Sequence, residues 1–156
     1  MKITFKLAFV ALTCLASMAF SADSWWKQVA LAQKIDTTTI CHTPKIFPNV
    51  VGTCDSTGSK INGGPADGYS LVYNTILMIN EGGSVLLVKA PVLYHLHQAN
   101  EIRAFHGVAE RYSMSNISGK ATKSIAGDLL IIKLNPGKES KIEDVKYFDT
   151  VYPKKK

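Results

Sequence analysis

From Tyr69 onward the chain is a succession of apolar, β-branched segments cut by turn residues at short intervals. "YSLVYNTILMIN" (69–80) ends at the break "EGG", and "SVLLVKAPVLYHLH" (84–97) follows. Then come "EIRAFHG", "AERYSMS", "KATKSI", "DLLIIKL" and "EDVKYFDTVY", with turns expected at "NISG", "AGD" and "NPGKES". Short β-rich segments separated by regular turn signals bury side chains by pleating rather than by a helical stripe. The pattern predicts an all-β domain, a single small barrel or sandwich. Only "PVLYHLHQANEIRAF" (91–105) is long enough to compete as a helix. Its residues fit alternation at His95 and His97 and again at Glu101, Arg103 and Phe105, and a helix pattern survives for "QANEIRAF" alone.

Ahead of this core, "DSWWKQVALAQK" (23–34) predicts one short N-terminal helix. Asp23 or Ser24 can cap it, and Trp26, Val29, Ala30 and Gln33 follow helical spacing, so the tryptophans dock one face on the body. "IDTTTI" (35–40) reads as a strand. "DSTGSKINGGPADG" (55–68) reads as a long surface loop, and no helix follows "GGPADG" to point backbone amides at a phosphate.

The first residues, "MKITFKLAFVALTCLASMAFSAD", have the layout of a secretory leader: Lys2 and Lys6, an apolar run from Leu7 to Leu15, and small residues before a cut after Ser21. Residues 22–156 then form one secreted or periplasmic domain, divided into a helix, strand and disulfide loop (22–68), a β core (69–152) and a basic tail (153–156). The apolar run is too short to span a bilayer, and no second membrane span is expected. Cys14 leaves with the leader, so Cys41 and Cys54 are the pair that remains for an oxidising compartment. Their spacing is too wide for a CxxC redox motif or a zinc knuckle, and a disulfide is expected.

The formal net charge of +6 falls to +4 when Lys2 and Lys6 are removed, and Lys154, Lys155 and Lys156 carry three of those charges at the tail. No basic stripe with interleaved aromatics runs through the body, which argues against nucleic acid as a partner. "NIS" at Asn116 is a glycosylation sequon that matters only in a eukaryotic source.

The chemistry concentrates in "YHLHQANEIRAFHG" (94–107), which holds three of the four histidines. On a strand His95 and His97 share a face, and two adjacent imidazoles can take neighbouring positions around a divalent ion. A turn over Gln98–Asn100 returns Glu101 as a third ligand, while His106 faces away. The alternative is a polar strand whose histidines hydrogen-bond locally or touch a ligand. Arg103 and Tyr94 are candidates for ligand contact.

The spacing H-x-H-x3-E-x5-G resembles the first motif of the cupin superfamily, and "AGDLLIIKLNPG" (126–137) is similar to its second. The resemblance covers about residues 84–142. It implies a double-stranded β-helix barrel with His95, His97 and Glu101 as metal ligands facing its lumen. The second-motif histidine would fall near Ser140, in "GKESKI", so the implied set has three ligands. Two functions follow from these residues. One is a secreted binding or interaction domain, of envelope or virulence type, that recognises a small molecule or a protein without a cofactor. The other is a metal-dependent cupin-like enzyme that uses Fe, Mn, Ni or Zn on a small oxygen-bearing substrate.

Overall fold

A computed structural model describes residues 25–42, 47–54 and 61–146. The leader (1–21), the strand reading of 147–152 and the basic tail (153–156) lie outside these residues.

Helix α1 runs Trp25–Gln33, unbroken by Gly or Pro. It stops at Lys34, whose φ of 54° is left-handed, and the Ile35 N–H closes the last turn on the Ala30 carbonyl at 2.8 Å. Trp25, Val29 and Ala30 are its buried side chains, and they pack on Val51, Met78, Val85, Leu87 and Tyr112. Trp25 takes the deeper place expected of Trp26, which packs at the edge of the same cluster.

Eight strands follow: β1 (Ile40–His42), β2 (Val50–Cys54), β3 (Ile61–Gly64), β4 (Tyr69–Asn80), β5 (Ser84–Leu96), β6 (Glu101–Ser113), β7 (Lys123–Lys133) and β8 (Lys141–Val145). They form one antiparallel sheet in the order β1-β2-β4-β5-β6-β7-β8, with β3 paired to β4 beyond the end of β2. The domain is all-β with one helix. The sheet is an open meander, since β1 and β8 are its two ends.

Three local expectations need correction. Residues 35–39 are not a strand: the Asp36 carboxylate accepts from the Thr38 N–H at 2.9 Å, a local turn that competes with pairing. The 55–68 segment is not wholly loop, because Ile61–Gly64 pairs with Tyr69–Val72 around a 3-10 turn at Pro65–Asp67. "AGD" lies inside β7 rather than at a turn, since Ala126 and Gly127 pair with Val108 and Gly107 of β6.

Cys41 and Cys54 are bridged, with a Cα–Cα distance of 5.8 Å. The bond ties edge strand β1 to β2, and the Cys54 N–H donates to the Thr39 carbonyl beside it. Among the described residues no helix is long and apolar enough to cross a membrane.

The sheet carries a shared break in alternation. On β5 the inward side chains are Leu86, Val88 and Ala90, then Leu93 and His95, so the parity changes at Pro91–Val92. Parity also changes on β4 at Asn74, on β6 at His106 and on β7 near Asp128. These positions face one another across four strands, and the pairing on either side keeps its register. All four residues are exposed, and Asn74 and His106 have left-handed φ values of 48° and 52°. Because every strand slips by one residue in the same row, pairing survives while the two halves of the sheet expose opposite parities.

Val50, Leu77, Leu86, Ile102, Leu130 and Ile132 belong to one buried cluster on the inner face. β2 and β8 are five pairings apart, which in a flat sheet is about 24 Å. Yet Val50 of β2 and Ser140, just before β8, line one cavity. The sheet therefore curls around its own inner face, and α1 covers part of the outer one.

Candidate functional site

The break in alternation sets the site. Had β5 kept the parity of Leu86 and Val88, His95 would lie on the outer face. After the slip it turns inward and is 2% exposed, opposite Ser70 of β4 and Ile102 of β6. His97, just beyond β5, stays beside it: the ring centroids are 4.8 Å apart, edge to face. Phe47 lies against both, at 4.7 Å from the His95 ring and 4.5 Å from the His97 ring. The Ser70 hydroxyl and His97 Nε2 share a 2.9 Å hydrogen bond, and the His97 N–H donates to the Gly68 carbonyl. Burial pushes the His97 pKa below the ordinary imidazole range, so the ring is neutral at pH 7.

Glu101 does not join the histidines. It pairs across from Leu96, one residue out of step with His95, so alternation sends its carboxylate to the other face. There Arg103 Nε donates to it at 2.7 Å. Arg103 pairs across from Tyr94, whose ring sits 5.4 Å from that of Tyr69. The residues expected at one site thus divide: His95 and His97 inside, Glu101, Arg103 and Tyr94 outside. His106 is exposed and lies 3.6 Å from Asp128, at the row where alternation changes. Among the described residues no group of three or more His, Cys, Asp or Glu side chains is placed to hold a metal ion. The three residues implied as ligands do not fit one ion, because Glu101 is on the wrong face and Phe47 packs on both rings.

What His95 does border is a cavity of about 240 Å³. Its apolar lining comes from Phe47, Pro48, Val50, Ile79, Leu134 and Pro136. Its polar lining comes from His95, Ser140 and four asparagines, Asn49, Asn80, Asn100 and Asn135. Among the described residues that line it there is no Asp, Glu, Lys or Arg. Asn49, Asn100 and Asn135 serve the fold through their backbones: their carbonyls accept from Asn80, Leu134 and Lys138. The Asn80 side chain accepts from the Gly82 N–H at 2.8 Å, which leaves its NH2 group as a donor.

The wall bearing Ser140 is held from behind. Arg111 donates to both carboxylate oxygens of Glu81, at 2.6 and 3.0 Å, and to the Ser140 carbonyl at 2.9 Å. The Ser140 N–H donates to Glu81 at 2.8 Å, and Ser84 adds its hydroxyl at 3.0 Å. Burial raises the Glu81 pKa, but the hydrogen bonds from Arg111 and Ser140 outweigh it and hold the carboxyl below its ordinary range. The hydrogen bond to Glu81 raises the Arg111 pKa further. Ser140 therefore lies over the cavity that His95 borders, with both its backbone groups committed to this strut.

Sequence reasoning singled out His95 as a metal ligand and Ser140 only as the place of an absent one, and it named neither Phe47 nor the asparagines. Asparagine at a turn reads as turn chemistry, and only the curl of the sheet brings these turns around one space. Comparison with known protein families, with curated proteins and with solved structures finds no match to this chain.

Proposed function

We propose that this chain is a small exported β-domain that acts by binding, and that the cavity beside His95 and Phe47 is its binding site. The observation that supports this most is the make-up of that cavity: an apolar floor, a rim of amides and an imidazole, and no Asp, Glu, Lys or Arg among the described residues that line it. An apolar pocket with a few convergent polar groups is the usual form of a small-molecule site. At about 240 Å³ it suits a ligand smaller than those of the ~300–1,000 Å³ pockets that hold drug-sized molecules. The leader layout and the Cys41–Cys54 bridge favour action outside the cytoplasm, in the periplasm or the medium.

A metal-dependent cupin-like enzyme draws less support. The contact between His95 and His97 favours it, but the third ligand it needs, Glu101, is engaged by Arg103 on the opposite face.

The test is a ¹H–¹⁵N spectrum of the protein recorded against a library of small uncharged solutes. Binding at this site shifts Asn49, Asn80, Asn100 and Ser140 together. A library that shifts none of them, or shifts only the outer face around Tyr94 and Arg103, refutes the proposal.

A further inference from the structure

We propose that Arg111 anchors a second site, which takes a small organic carboxylate and is occupied in its absence by the chain's own Glu139. The site is a cleft of about 630 Å³ whose lining includes Arg111, Lys138, Glu139, Ser84 and Ser113. It lies behind Ser140, apart from the cavity beside His95, and does not depend on the binding reading above.

Two of the three guanidinium nitrogens of Arg111 are committed to the fold. Nε donates to Glu81, and Nη2 donates to Glu81 and to the Ser140 carbonyl. Nη1 is different. Among the described residues its partner is the Glu139 carboxylate at 3.4 Å, too far for a good hydrogen bond. The Arg111 side chain is 6% exposed and that of Glu139 is 69% exposed. A buried cation thus reaches the cleft through one nitrogen, and an exposed carboxylate stands in front of it.

Nη1 carries two N–H donors, and a guanidinium cannot give up its proton in a protein. Such donors gain most from an ionised acceptor at about 2.7–2.9 Å. Glu139, carried on the β7–β8 loop, does not come that close, whereas a free carboxylate is not held back by the backbone. Lys138 lines the same cleft and makes no ion pair among the described residues, so its ammonium group can serve the second oxygen. Glu81 also lines the cleft, but Arg111, Ser140 and Ser84 hydrogen-bond both of its oxygens, so its charge is compensated. Other occupants fit less well. A cation would meet Arg111 and Lys138. A hydrocarbon would cover Nη1 and leave its donors unpaired. A carboxylate reproduces the group already there, and an exposed ion pair such as that of Glu139 is weak enough to be exchanged.

The experiment follows the ¹H–¹⁵N spectrum of the full mature chain as sodium acetate or sodium benzoate is added at fixed pH and ionic strength. Acetamide, benzamide and inorganic phosphate are the comparisons. The carboxylates are expected to shift Gly83, Ser84, Ser113, Glu139 and the Arg111 Nε–H together, and the two amides to leave them in place. Glu139→Gln removes the competing charge and should tighten acetate binding roughly two- to fivefold, the range that a weak ion pair carries. Lys138→Ala should weaken it by a similar factor. Both positions are exposed, so the fold should persist, and thermal melts check this. Affinity that is unchanged or lower in Glu139→Gln would make Glu139 a simple cap on Arg111 and overturn the inference. Carboxylates that shift none of these residues, or no more than their amides do, would overturn it as well. Shifts from phosphate with none from the carboxylates would overturn the assigned ligand class.

Discussion

Glu81 and Arg111 hold each other through two hydrogen bonds in the interior, with side chains 0% and 6% exposed. Glu81 sits in the β4–β5 turn and Arg111 on β6, and both also bind the backbone of Ser140 in the β7–β8 loop. One ion pair thus joins three parts of a curled sheet that hydrogen-bonded pairing leaves open. Removing Arg111 leaves the buried Glu81 charge without its ion-pair partner, which costs about 3–5 kcal/mol, while removing Glu81 leaves Arg111 only the exposed Glu139 at 3.4 Å as a counter-ion. Arg111→Met and Glu81→Gln should each lower the urea midpoint accordingly. A double Glu81→Leu, Arg111→Met variant should recover part of the loss, because it buries no lone charge. Single variants with wild-type midpoints would show that the strut contributes nothing.

Acid should act on the fold in two ranges. The folded pKa of Glu81 lies below its unfolded value of about 4.3, so the unfolded chain binds the proton first as pH falls. The stability that Glu81 contributes is full above that value and is lost as pH drops through the folded pKa. His97 is depressed as well, from about 6.5, by burial. Its unfolded form also takes up the proton first, so a smaller loss should begin near pH 6.5 and run to its folded pKa. Urea unfolding measured from pH 8 to pH 3 should show both declines, and His97→Gln should remove only the upper one. Stability that rises on acidification would contradict both assignments.

The row of parity changes makes a prediction about backbone. His106 has a φ of 52°, where a β-branched residue is penalised by about 1–2 kcal/mol and glycine is not. His106→Val should therefore destabilise the protein by that amount, while His106→Gly should be close to neutral. Next to it, a Cβ on Gly107 would stand 2.9 Å from the Ala104 Cβ and 3.2 Å from the Ala90 Cβ. Gly107→Ala should cost about 1–3 kcal/mol through overpacking. Equal effects of Val and Gly at position 106 would remove the left-handed conformation from the account.

Much of this was legible in the residues. β4 spans the segment "YSLVYNTILMIN" and β5 all but the last residue of "SVLLVKAPVLYHLH", because alternation and turn signals are local. The Cys41–Cys54 bridge and the adjacency of His95 and His97 followed from spacing. Glu101 was misplaced because a turn of unstated length decides which face the next strand presents. With Leu96 opposite Glu101, the carboxylate goes outward. The cooperative slip was invisible for a related reason: Asn74, Pro91, His106 and Asp128 are unremarkable in one dimension, and only pairing sets them in a row. The cavity needs still more, since Asn49, Asn100 and Asn135 meet only after the sheet curls.

The central claim is that this slip turns His95 inward onto a cavity that holds a small ligand. Diffraction from crystals of the mature protein, grown with a mixture of small solutes, tests it most directly. The account predicts His95 buried against Phe47 and ordered solute density between Phe47, Asn100 and Ser140. His95 on the outer face beside Glu101, or a cavity filled by the protein's own side chains, would contradict it.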